Sequence, residues 1–474
     1  MSAMPSTGNL PEKAGRRRFV RAGVASGLAA IAGLPAFGAS APAVGAADVA
    51  ESGLPFQAWA PTPTMGWNSW DAFGASVTEA EVLDNARVLA ERLLPFGYDL
   101  ATVDIQWYEA GATSSWYQPF APLVLDANGR PQPAPNRFPS AAGGQGFAPL
   151  AAQVHGLGLR LGVHLMRGIP RQAVGLQLPI AGSRWRCHEV ADPGSTCAWN
   201  TDMCGVNPAH PGAFEWYRAW FAQLAGWGVD FVKVDDAAAP DYHAREVELI
   251  RRAIDSTGRR IVLSLSPGPA PLEQGGHLQA HANQWRVCND FWDTWPQLRD
   301  NLANLVKWAP YARAGAWPDA DMLPVGRIGL RNFDGGGRGE RDTRFTRDEQ
   351  VLMLTAWCCA RSPLILGADL RRLDDWTLRL VTNPEVLALL RVPGSRDWHS
   401  TPEGHRFICS GPHGTWAAWL NIGETPWSAS LPAWLPDARR DCWARSDLAT
   451  GTRTLVVPPH GARLVRCQPG GAST

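Results

Sequence analysis

The run Val229-Asp230-Phe231-Val232-Lys233-Val234-Asp235 is an apolar segment that ends in a carboxylate. An amphipathic stretch over 211–227 precedes it, and Gly228 separates the two. Glycine is the usual residue just after a helix, so this pattern predicts a helix that leads into a buried strand. A carboxylate at the end of a buried strand is costly unless a partner or a function compensates it. Asp235 is therefore either a turn or capping residue or part of a functional site.

The same alternation of helix-like and strand-like segments extends in both directions from this run. Thr78-x-x-Glu81 and Thr346-x-x-Glu349 are capping boxes, each of which opens a helix. About eight strands that alternate with helices over residues 59–392 predict a (β/α)8 TIM barrel of the α/β class. A doubly wound sheet is the rival fold, but no glycine-rich phosphate-binding sequence follows the first strand. The strand-like runs lie near 64–70, 98–104, 159–165, 231–235, 261–265, 284–288, 313–317 and 363–367.

The pattern changes after Val392. Short strand-like runs near 405–410, 415–422, 442–447 and 452–457 are separated by Gly and Pro. Such runs predict strands that are joined by turns. We expect residues 393–474 to form a small C-terminal antiparallel β-sandwich.

The first 46 residues predict export from the cell. Arg16-Arg17-Arg18-Phe19-Val20-Arg21 fits the twin-arginine signal pattern, and an Ala- and Gly-rich stretch follows over 22–37. That stretch is too short to span a membrane. We therefore expect residues 1–46 to be a signal peptide, and the protein to be periplasmic or extracellular in a bacterium.

The cysteines bear on the cellular compartment of the protein, and the charge balance bears on its possible partners. The chain contains nine cysteines. In an oxidising compartment, Cys187 with Cys197 and Cys442 with Cys467 are candidate disulfides. Residues 1–46 hold five of the 44 basic side chains and one of the 44 acidic ones, so the remaining chain is slightly acidic. A slightly acidic chain argues against nucleic acid as a partner.

In a (β/α)8 barrel the chemistry lies at the carboxyl ends of the strands. Seven predicted strands end in acids, bases, amides or aromatic residues. Asp290, within the Trp-flanked segment 285–292, is a second carboxylate of this kind, and two carboxylates are the minimum for cleaving a glycosidic bond. Among the 23 tryptophans, Trp70 and Trp107 lie next to polar clusters, where an indole face can stack on a sugar ring.

Several of these segments resemble the motifs of glycoside hydrolase family 27, the α-galactosidase family, and they occur in the family's order. Together they cover about residues 61–392, and the resemblance implies a TIM barrel followed by a β-sandwich. The matching segments are Thr62-Pro63-Thr64-Met65-Gly66-Trp67-Asn68-Ser69-Trp70, Lys233-Val234-Asp235, Trp285-Arg286 with Asp290, Trp317-Pro318-Asp319-Ala320-Asp321-Met322-Leu323, and Arg361-Ser362-Pro363-Leu364 with Asp369-Leu370.

The resemblance also implies a retaining mechanism with Asp235 as the nucleophile and Asp290 as the acid and base. The carboxyl groups of such a pair stand roughly 5–5.5 Å apart. Lys233 is implied to keep Asp235 ionised and Arg286 to act in the same way near Asp290, while Asp293 is a rival for the acid. No cofactor and no metal is implied. The implied sugar-binding residues are Trp70, Asp104, Trp107, His164, Arg167, Lys233, Ser266, Arg286, Asp321 and Met322.

The chain also departs from the family pattern. Relatives that bind galactose carry two adjacent acids at the end of the second strand, where this chain has Asp104 followed by Ile105. His164 replaces a tyrosine, Ser266 begins a segment that replaces a larger group near the 2-position of the sugar, and Ala237 stands where the family has a disulfide cysteine. A site built to pair a hydroxyl discriminates against sugars that lack it, so Ile105 bears directly on which sugar is bound.

The sequence predicts a retaining exo-glycosidase that hydrolyses terminal glycosides, with α-galactosides as the favoured substrates. α-Glucosides, β-L-arabinopyranosides and α-N-acetylgalactosaminides are alternatives within the same mechanism. The expected partner is an oligosaccharide or glycoside, with no nucleic acid and no membrane span, and the oligomeric state is left open.

Two rival classes of function are open at this point. A metal-dependent hydrolase would use His164, Asp104, Asp235 and Asp319, although one histidine with scattered carboxylates is weak ligand spacing. A non-catalytic carbohydrate-binding barrel would usually lack one of the two carboxylates, and both are present here.

Overall fold

The computed structural model describes residues 53–333, 338–435 and 439–467. The predicted signal peptide, residues 1–46, lies outside them. From Gly53 onward the barrel strands and the C-terminal strands belong to one compact unit. Among the helices of the described ranges, none combines the length and the apolar character that a membrane span requires.

Eight short parallel strands form the predicted barrel. Each strand pairs with the next from β1 to β7, and β8 pairs with β1. Barrel strands are covered on both faces, which explains why their sequences are runs of apolar residues rather than alternating ones. The strands are β1 (Met65–Asn68), β2 (Leu100–Val103), β3 (Arg160–Met166), β4 (Phe231–Asp235), β5 (Val262–Leu265), β6 (Gln284–Arg286), β7 (Trp317–Asp319) and β8 (Leu364–Leu366).

The barrel closes between β7 and β8 through a single parallel bridge between Leu323 and Leu366. The N–H of Leu323 donates to the carbonyl of Ile365 at 2.8 Å. Just before it, the N–H of Ala320 donates to Ser362 Oγ at 3.0 Å, and Asn301 Nδ2 donates to the carbonyl of Ala320 at 2.8 Å. The segment 320–323, which we call the seam, is therefore held largely by side chains.

A helix follows each barrel strand. The predicted capping boxes open α1 and α7, in which the Thr78 and Thr346 hydroxyls accept from the backbone N–H three residues later. In α4 the buried residues Val247, Ile250 and Ile254 recur at helical spacing, which packs one face onto the barrel. The helices are α1 (Glu79–Val88), α2 (Ala148–Gly156), α3 (Gly212–Gly226), α4 (Ala244–Ser256), α5 (Gly275–His281), α6 (Trp295–Trp308), α7 (Arg347–Ala360) and α8 (Asp375–Val381).

The C-terminal strands form an antiparallel domain with two layers. The larger sheet has the order β9-β10-β11-β16-β13-β14, and β12 pairs with β15. Phe407, Leu420 and Leu464 on one face join the barrel's core, and Trp443 Nε1 donates to Thr355 Oγ1 of α7 at 2.9 Å. The strands are β9 (Ser395–Thr401), β10 (Gly404–Gly411), β11 (Gly414–Asn421), β12 (Trp427–Ser430), β13 (Arg439–Asp441), β14 (Ser446–Asp447), β15 (Thr454–Val457) and β16 (Ala462–Cys467).

The structure does not form either predicted disulfide. Cys187 begins a short helix and Cys197 follows the strand Ala191–Thr196, which bulges between Asp192 and Thr196, and both cysteines are buried as free thiols. Cys442 belongs to the core on the barrel side of the larger sheet, and Cys467 belongs to the core on its other face. Neither pairing forms in the structure, and for Cys442 and Cys467 the spacing in the sequence did not reveal that they lie on opposite faces of the sheet.

Candidate active site

A cavity extends from the interior of the barrel toward the carboxyl ends of its strands. Five of the sugar-binding residues predicted from the family resemblance line it, and the remaining lining residues come from the barrel interior. The lining residues are Asn68, Thr102, Phe231, Lys233, Ser264, Ser266, Gln284, Arg286, Asp319, Asp321, Met322 and Ile365.

Asp235 is the last residue of β4, and its carboxylate is held on both oxygens. His164 Nε2 lies 2.9 Å from Oδ2, and the hydroxyl of Ser266 donates to Oδ1. Burial alone would raise the pKa of Asp235, but the charges of Lys233 and His164 and these hydrogen bonds bring it well below its usual range. Asp235 is therefore ionised at neutral pH, as a carboxylate nucleophile must be. His164 and Ser266, both predicted to bind sugar, contact this carboxylate directly.

Lys233 forms its ion pair with Asp104 rather than with Asp235. Lys233 Nζ donates to Asp104 Oδ2 at 2.9 Å, and Asn68 Nδ2 donates to the same oxygen at 2.7 Å. Burial would lower the pKa of Lys233, but Asp104 and Asp235 raise it above its usual value. The ammonium group therefore stays charged and acts on Asp235 through space.

Arg286 connects Asp290 with a second acid. Its Nη2 lies 3.2 Å from Asp290 Oδ1 and 2.7 Å from Asp321 Oδ2, and Asp321 also accepts from the N–H of Phe291 at 2.8 Å. The side chain of Asp290 is 47% exposed and that of Asp235 is 11% exposed. The two predicted catalytic acids thus differ in access to solvent, with Asp235 inside the barrel and Asp290 at its rim.

Asp293, the alternative candidate for the general acid, forms ion pairs with two arginines. Its buried carboxylate lies 2.6 Å from Arg341 Nη2 and 2.9 Å from Arg344 Nη2. Burial raises its pKa, but the hydrogen bonds from these two arginines outweigh burial, and the pKa is lowered. A carboxylate held in this way does not hold a proton for donation at neutral pH.

Three buried acids, Asp319, Asp321 and Asp71, have raised pKa values. Burial raises the pKa of Asp319 to about 7, and the neighbouring Asp321 adds to the effect against the opposing charge of Arg286. Burial and Asp321 raise the pKa of Asp71 well above its usual value, and its buried Oδ2 has no hydrogen-bond partner among the described residues. Asp71 was missed from the sequence, although it directly follows Trp70 in the first motif.

Trp107 does not face the cavity. Its side chain is fully buried, and its Nε1 donates to the carbonyl of His164 at 2.7 Å. The indole packs against Tyr108, Phe147 and Trp227. The structure thus contradicts the prediction that Trp107 stacks on sugar, because its ring is enclosed in the core behind β2 and β3.

Arg167 is also turned away from the substrate. Its Nη2 lies 2.8 Å from Asp236 Oδ2 and its Nη1 lies 2.6 Å from Glu246 Oε1. Its Nε donates to the carbonyl of Asp236 at 2.8 Å, and Tyr217 donates to Glu246 at 2.5 Å. All three guanidinium nitrogens are engaged within the protein, so Arg167 holds the chain next to Asp235 rather than a sugar.

Trp70 and Met322 lie at the same side of the barrel interior. Met322 lines the cavity, and the partly buried Trp70 packs against the apolar cluster that contains Met322 and Phe231. The N–H of Trp70 donates to Asn68 Oδ1 at 2.8 Å, which fixes the turn after β1.

The residues of the rival metal site are not arranged as ligands. Within the described ranges, no three His, Cys, Asp or Glu side chains converge on a point that could hold a metal ion. Asp104 is directed at Lys233 instead, and His164 at Asp235.

Sequence comparison identifies relatives with glycosidase activity. Residues 199–391 match a family model described as alpha galactosidase A. Over 424 residues the chain is 27% identical to alpha-galactosidase 3 of Arabidopsis thaliana, covering 82% of this chain and 77% of that protein. Over 362 residues it is 26% identical to human alpha-galactosidase A, covering 73% and 70%.

Solved structures are similar over nearly the whole described chain. A family 27 β-L-arabinopyranosidase from Geobacillus stearothermophilus, determined as the wild type and as a variant in complex with arabinose, shares 46% identity with a TM-score of 0.86, and 88% of this chain and 99% of that one are covered. A putative α-N-acetylgalactosaminidase from Bacillus halodurans shares 41% identity with a TM-score of 0.77, covering 86% and 97%. On this evidence the chain is a glycosidase and belongs to glycoside hydrolase family 27.

Proposed function

We propose that the protein is a retaining exo-glycosidase that removes terminal β-L-arabinopyranosyl units. The observation that carries the choice of sugar is Ile105, which stands directly after Asp104 where galactose-binding relatives have a second acid. The choice of mechanism is supported by the contrast between the ionised, enclosed Asp235 and the exposed Asp290.

The reaction takes two steps. Asp235 attacks the anomeric carbon and forms an ester bond while the bond to the leaving oxygen breaks, and Asp290 gives its proton to that oxygen. Asp290, now a carboxylate, removes a proton from water, whose oxygen displaces Asp235 from the sugar. His164 and Ser266 hold Asp235 on both oxygens, so its direction of attack is fixed before substrate arrives.

Ile105 decides between a hexose and a pentose. L-Arabinopyranose has the ring hydroxyls of D-galactose but no 6-hydroxymethyl group. Asp104 is retained for a ring hydroxyl and accepts from the N–H of Ile105 at 2.8 Å. Ile105 itself is buried and apolar, so it cannot pair a 6-hydroxyl. Enclosing that hydroxyl without a partner costs about 1–3 kcal/mol, which disfavours galactose and does not affect arabinopyranose.

The similarity to known proteins also favours β-L-arabinopyranosides as substrates. The β-L-arabinopyranosidase shares 46% identity with this chain, whereas the plant and human α-galactosidases share 26–27%. α-Galactosides are the second candidate, because the family model is described as alpha galactosidase A and Asp104 is kept.

The test compares nitrophenyl β-L-arabinopyranoside with nitrophenyl α-D-galactopyranoside. We expect kcat/KM to favour the arabinoside by at least about tenfold, which corresponds to roughly 1.4 kcal/mol. Ile105→Asp is expected to move the preference toward the galactoside, and Ile105→Val, which stays apolar, is the matched control. Faster hydrolysis of the galactoside by the unmodified enzyme would overturn the proposed sugar.

The catalytic roles are tested with small nucleophiles. Asp235→Ala and Asp290→Ala are each expected to lower kcat/KM on the arabinoside by about 100-fold or more. Azide is expected to rescue both variants, giving a glycosyl azide of inverted configuration with Asp235→Ala and of retained configuration with Asp290→Ala. The same product anomer from both variants would contradict the assignment.

A further inference from the structure

Two large aromatic side chains, Trp116 and Phe120, are exposed to solvent. Trp116 is 58% exposed and Phe120 is 71% exposed, and both belong to the segment 108–125 that follows β2. Two such rings kept in water are costly unless a ligand covers them, since each exposes apolar area that folding could have buried.

A row of aromatic residues leads from the cavity to the segment that carries these two rings. Trp70 packs against the cluster that contains Met322, and Tyr117 stacks on Trp70 with centroids 6.1 Å apart and planes inclined by 21°. Trp199 lies next, 5.7 Å from Tyr117. The row thus runs outward from the sugar-binding cavity, with Trp116 adjoining Tyr117 in the chain.

The row starts near the residue that protonates the leaving oxygen. Asp290 lies 3.2 Å from Arg286, Arg286 lines the cavity together with Met322, and Trp70 packs against the cluster that contains Met322. The group that leaves from the anomeric carbon departs on the side of its proton donor. The aromatic row is therefore placed where the remainder of the substrate would lie.

Phe120 is held outward in a conformation that bulky residues avoid. Its φ is 55°, in the left-handed region, which costs of order 1 kcal/mol or more for a residue with a large side chain. The N–H of Phe120 donates to Thr201 Oγ1 at 2.7 Å, and Arg171 lies over its ring at 5.8 Å. A strained residue that is anchored from a second loop and still exposes its ring is consistent with a functional role.

We propose that Trp116, Tyr117, Phe120 and Trp199 form an aglycone-binding surface that stacks on the sugar rings next to the terminal unit. Sugar rings present apolar C–H faces, for which aromatic rings are the matching partner. This inference rests on the proposed function, because it concerns the part of the same substrate that lies outside the cavity. It identifies oligosaccharides or polysaccharide branches as the natural substrate class, rather than glycosides with small aglycones.

The experiment uses two substrates that differ only in the aglycone. β-L-Arabinopyranosyl fluoride has a single-atom leaving group that cannot contact the surface, whereas an arabinopyranosyl-terminated trisaccharide can. The variant is Trp116→Ala with Phe120→Asn, since asparagine tolerates the left-handed backbone. Trp434→Ala is the matched control, because Trp434 is 57% exposed in the C-terminal domain.

We expect the double variant to lose about tenfold in kcat/KM on the trisaccharide, which corresponds to roughly 1.4 kcal/mol for the two rings together, and less than twofold on the fluoride. The control should match the unmodified enzyme on both substrates. An unchanged value on the trisaccharide would overturn the proposal, and so would an equal loss on both substrates.

If the enzyme does not act on β-L-arabinopyranosides, the result differs from the one that would overturn the aromatic surface. In that case the unmodified enzyme turns over neither arabinosyl substrate. The fluoride and trisaccharide of whichever sugar the nitrophenyl glycosides identify then provide the same comparison for the aromatic surface.

Discussion

Asp235 and Asp319 are each the last residue of a barrel strand, yet their surroundings move their pKa values in opposite directions. Both are buried, which by itself raises the pKa of a carboxyl group. Lys233, His164 and Ser266 outweigh burial at Asp235, whereas at Asp319 the opposing effect of Arg286 is weaker than burial together with Asp321. Two identical side chains therefore carry different charge at neutral pH.

Asp319→Asn is expected to stabilise the protein more at pH 7.5 than at pH 4.5. Between its ordinary value of 3.8 and about 7, folded Asp319 keeps a proton that the unfolded chain has lost, so stability falls as pH rises through this range. Asparagine does not titrate and removes this loss, of the order of a few kcal/mol. The melting temperature at the two pH values measures the effect.

Asp235→Asn is expected to change the stability in the opposite direction to Asp319→Asn, and the melting temperature measures this effect too. The lowered pKa of Asp235 contributes stability above pH 3.8, and that contribution is lost as pH falls through the lower value in the folded protein. This variant should melt lower than the unmodified protein at pH 7.5. Shifts of the same sign at both positions, or a pH-independent shift for Asp319→Asn, would contradict the assigned protonation states.

For individual residues, the sequence predicted which residue types form the site better than it predicted where their side chains point. The motif around Asp235 and Lys233 identified a strand whose end carries a carboxylate held by His164 and Ser266, and strand ends in a barrel share one face. Trp107 and Arg167 lie next to that face but point away from it, and a single sequence does not show on which side of a loop a side chain falls. Asp71 was missed because its raised pKa arises from burial and from the charge of Asp321, which is distant in the sequence.

The ends of β3 and β4 are joined by a buried ionic cluster of Arg167, Asp236 and Glu246. Asp236 directly follows the proposed nucleophile Asp235 and has a φ of 63°, in the left-handed region. Cys197 also donates a hydrogen bond to its carboxylate. The family resemblance implies a disulfide after the nucleophile that Ala237 precludes, and in this chain the ionic cluster fixes the backbone there.

Arg167→Met is expected to destabilise the protein by about 3–5 kcal/mol, because it leaves two buried carboxylates without their cation. Arg160→Met is the matched control at the other end of β3. Arg160 pairs with Asp99 where both side chains are partly exposed, so its loss should cost less than about 1 kcal/mol. Urea unfolding monitored by tryptophan fluorescence measures both values, and equal effects would show that the cluster contributes no more than a surface pair.

Most of the barrel strands were predicted from the sequence, but the residues at which strands begin and end were not. The predicted seventh strand over 313–317 begins instead at Trp317, because Arg313 and Ala316 pair across a turn in which Gly315 has a φ of 79°. In the C-terminal domain residues 442–445 of the strand predicted over 442–447 form the turn between β13 and β14, with Arg445 at a φ of 54°, and Ser446–Asp447 are β14. Apolar patterning predicts burial, but a turn with buried residues has the same pattern.

The barrel and the larger C-terminal sheet share one apolar core across α7. Leu420 and Leu464 of the sheet belong to the same buried cluster as Leu354 and Trp357 of α7. A β domain attached in this way cannot unfold without exposing the outer wall of the barrel. The whole described unit is thus expected to unfold in one cooperative transition.

Leu464→Ala is expected to lower the free energy of unfolding by about 2–5 kcal/mol, because it leaves a cavity in the shared core. Glycosidase activity should be lost at the same reduced temperature as the sheet, although Leu464 is remote from the cavity. Val456→Ala, an exposed position on β15, should change neither. Activity that survives to the original temperature would show that the domains unfold independently.

The seam between β7 and β8 has a consequence for how this enzyme could change over evolution. The other strand pairs of the barrel are held by backbone hydrogen bonds, which a side-chain substitution does not remove. At 320–323 the backbone depends on Ser362 and Asn301, and Trp357 Nε1 donates to the carbonyl of Asp321 at 3.2 Å. Substitutions at these three positions can shift Asp321 and Met322 at the cavity while the other strand pairs stay intact. The seam is thus a place where single mutations can diversify substrate preference without rebuilding the barrel.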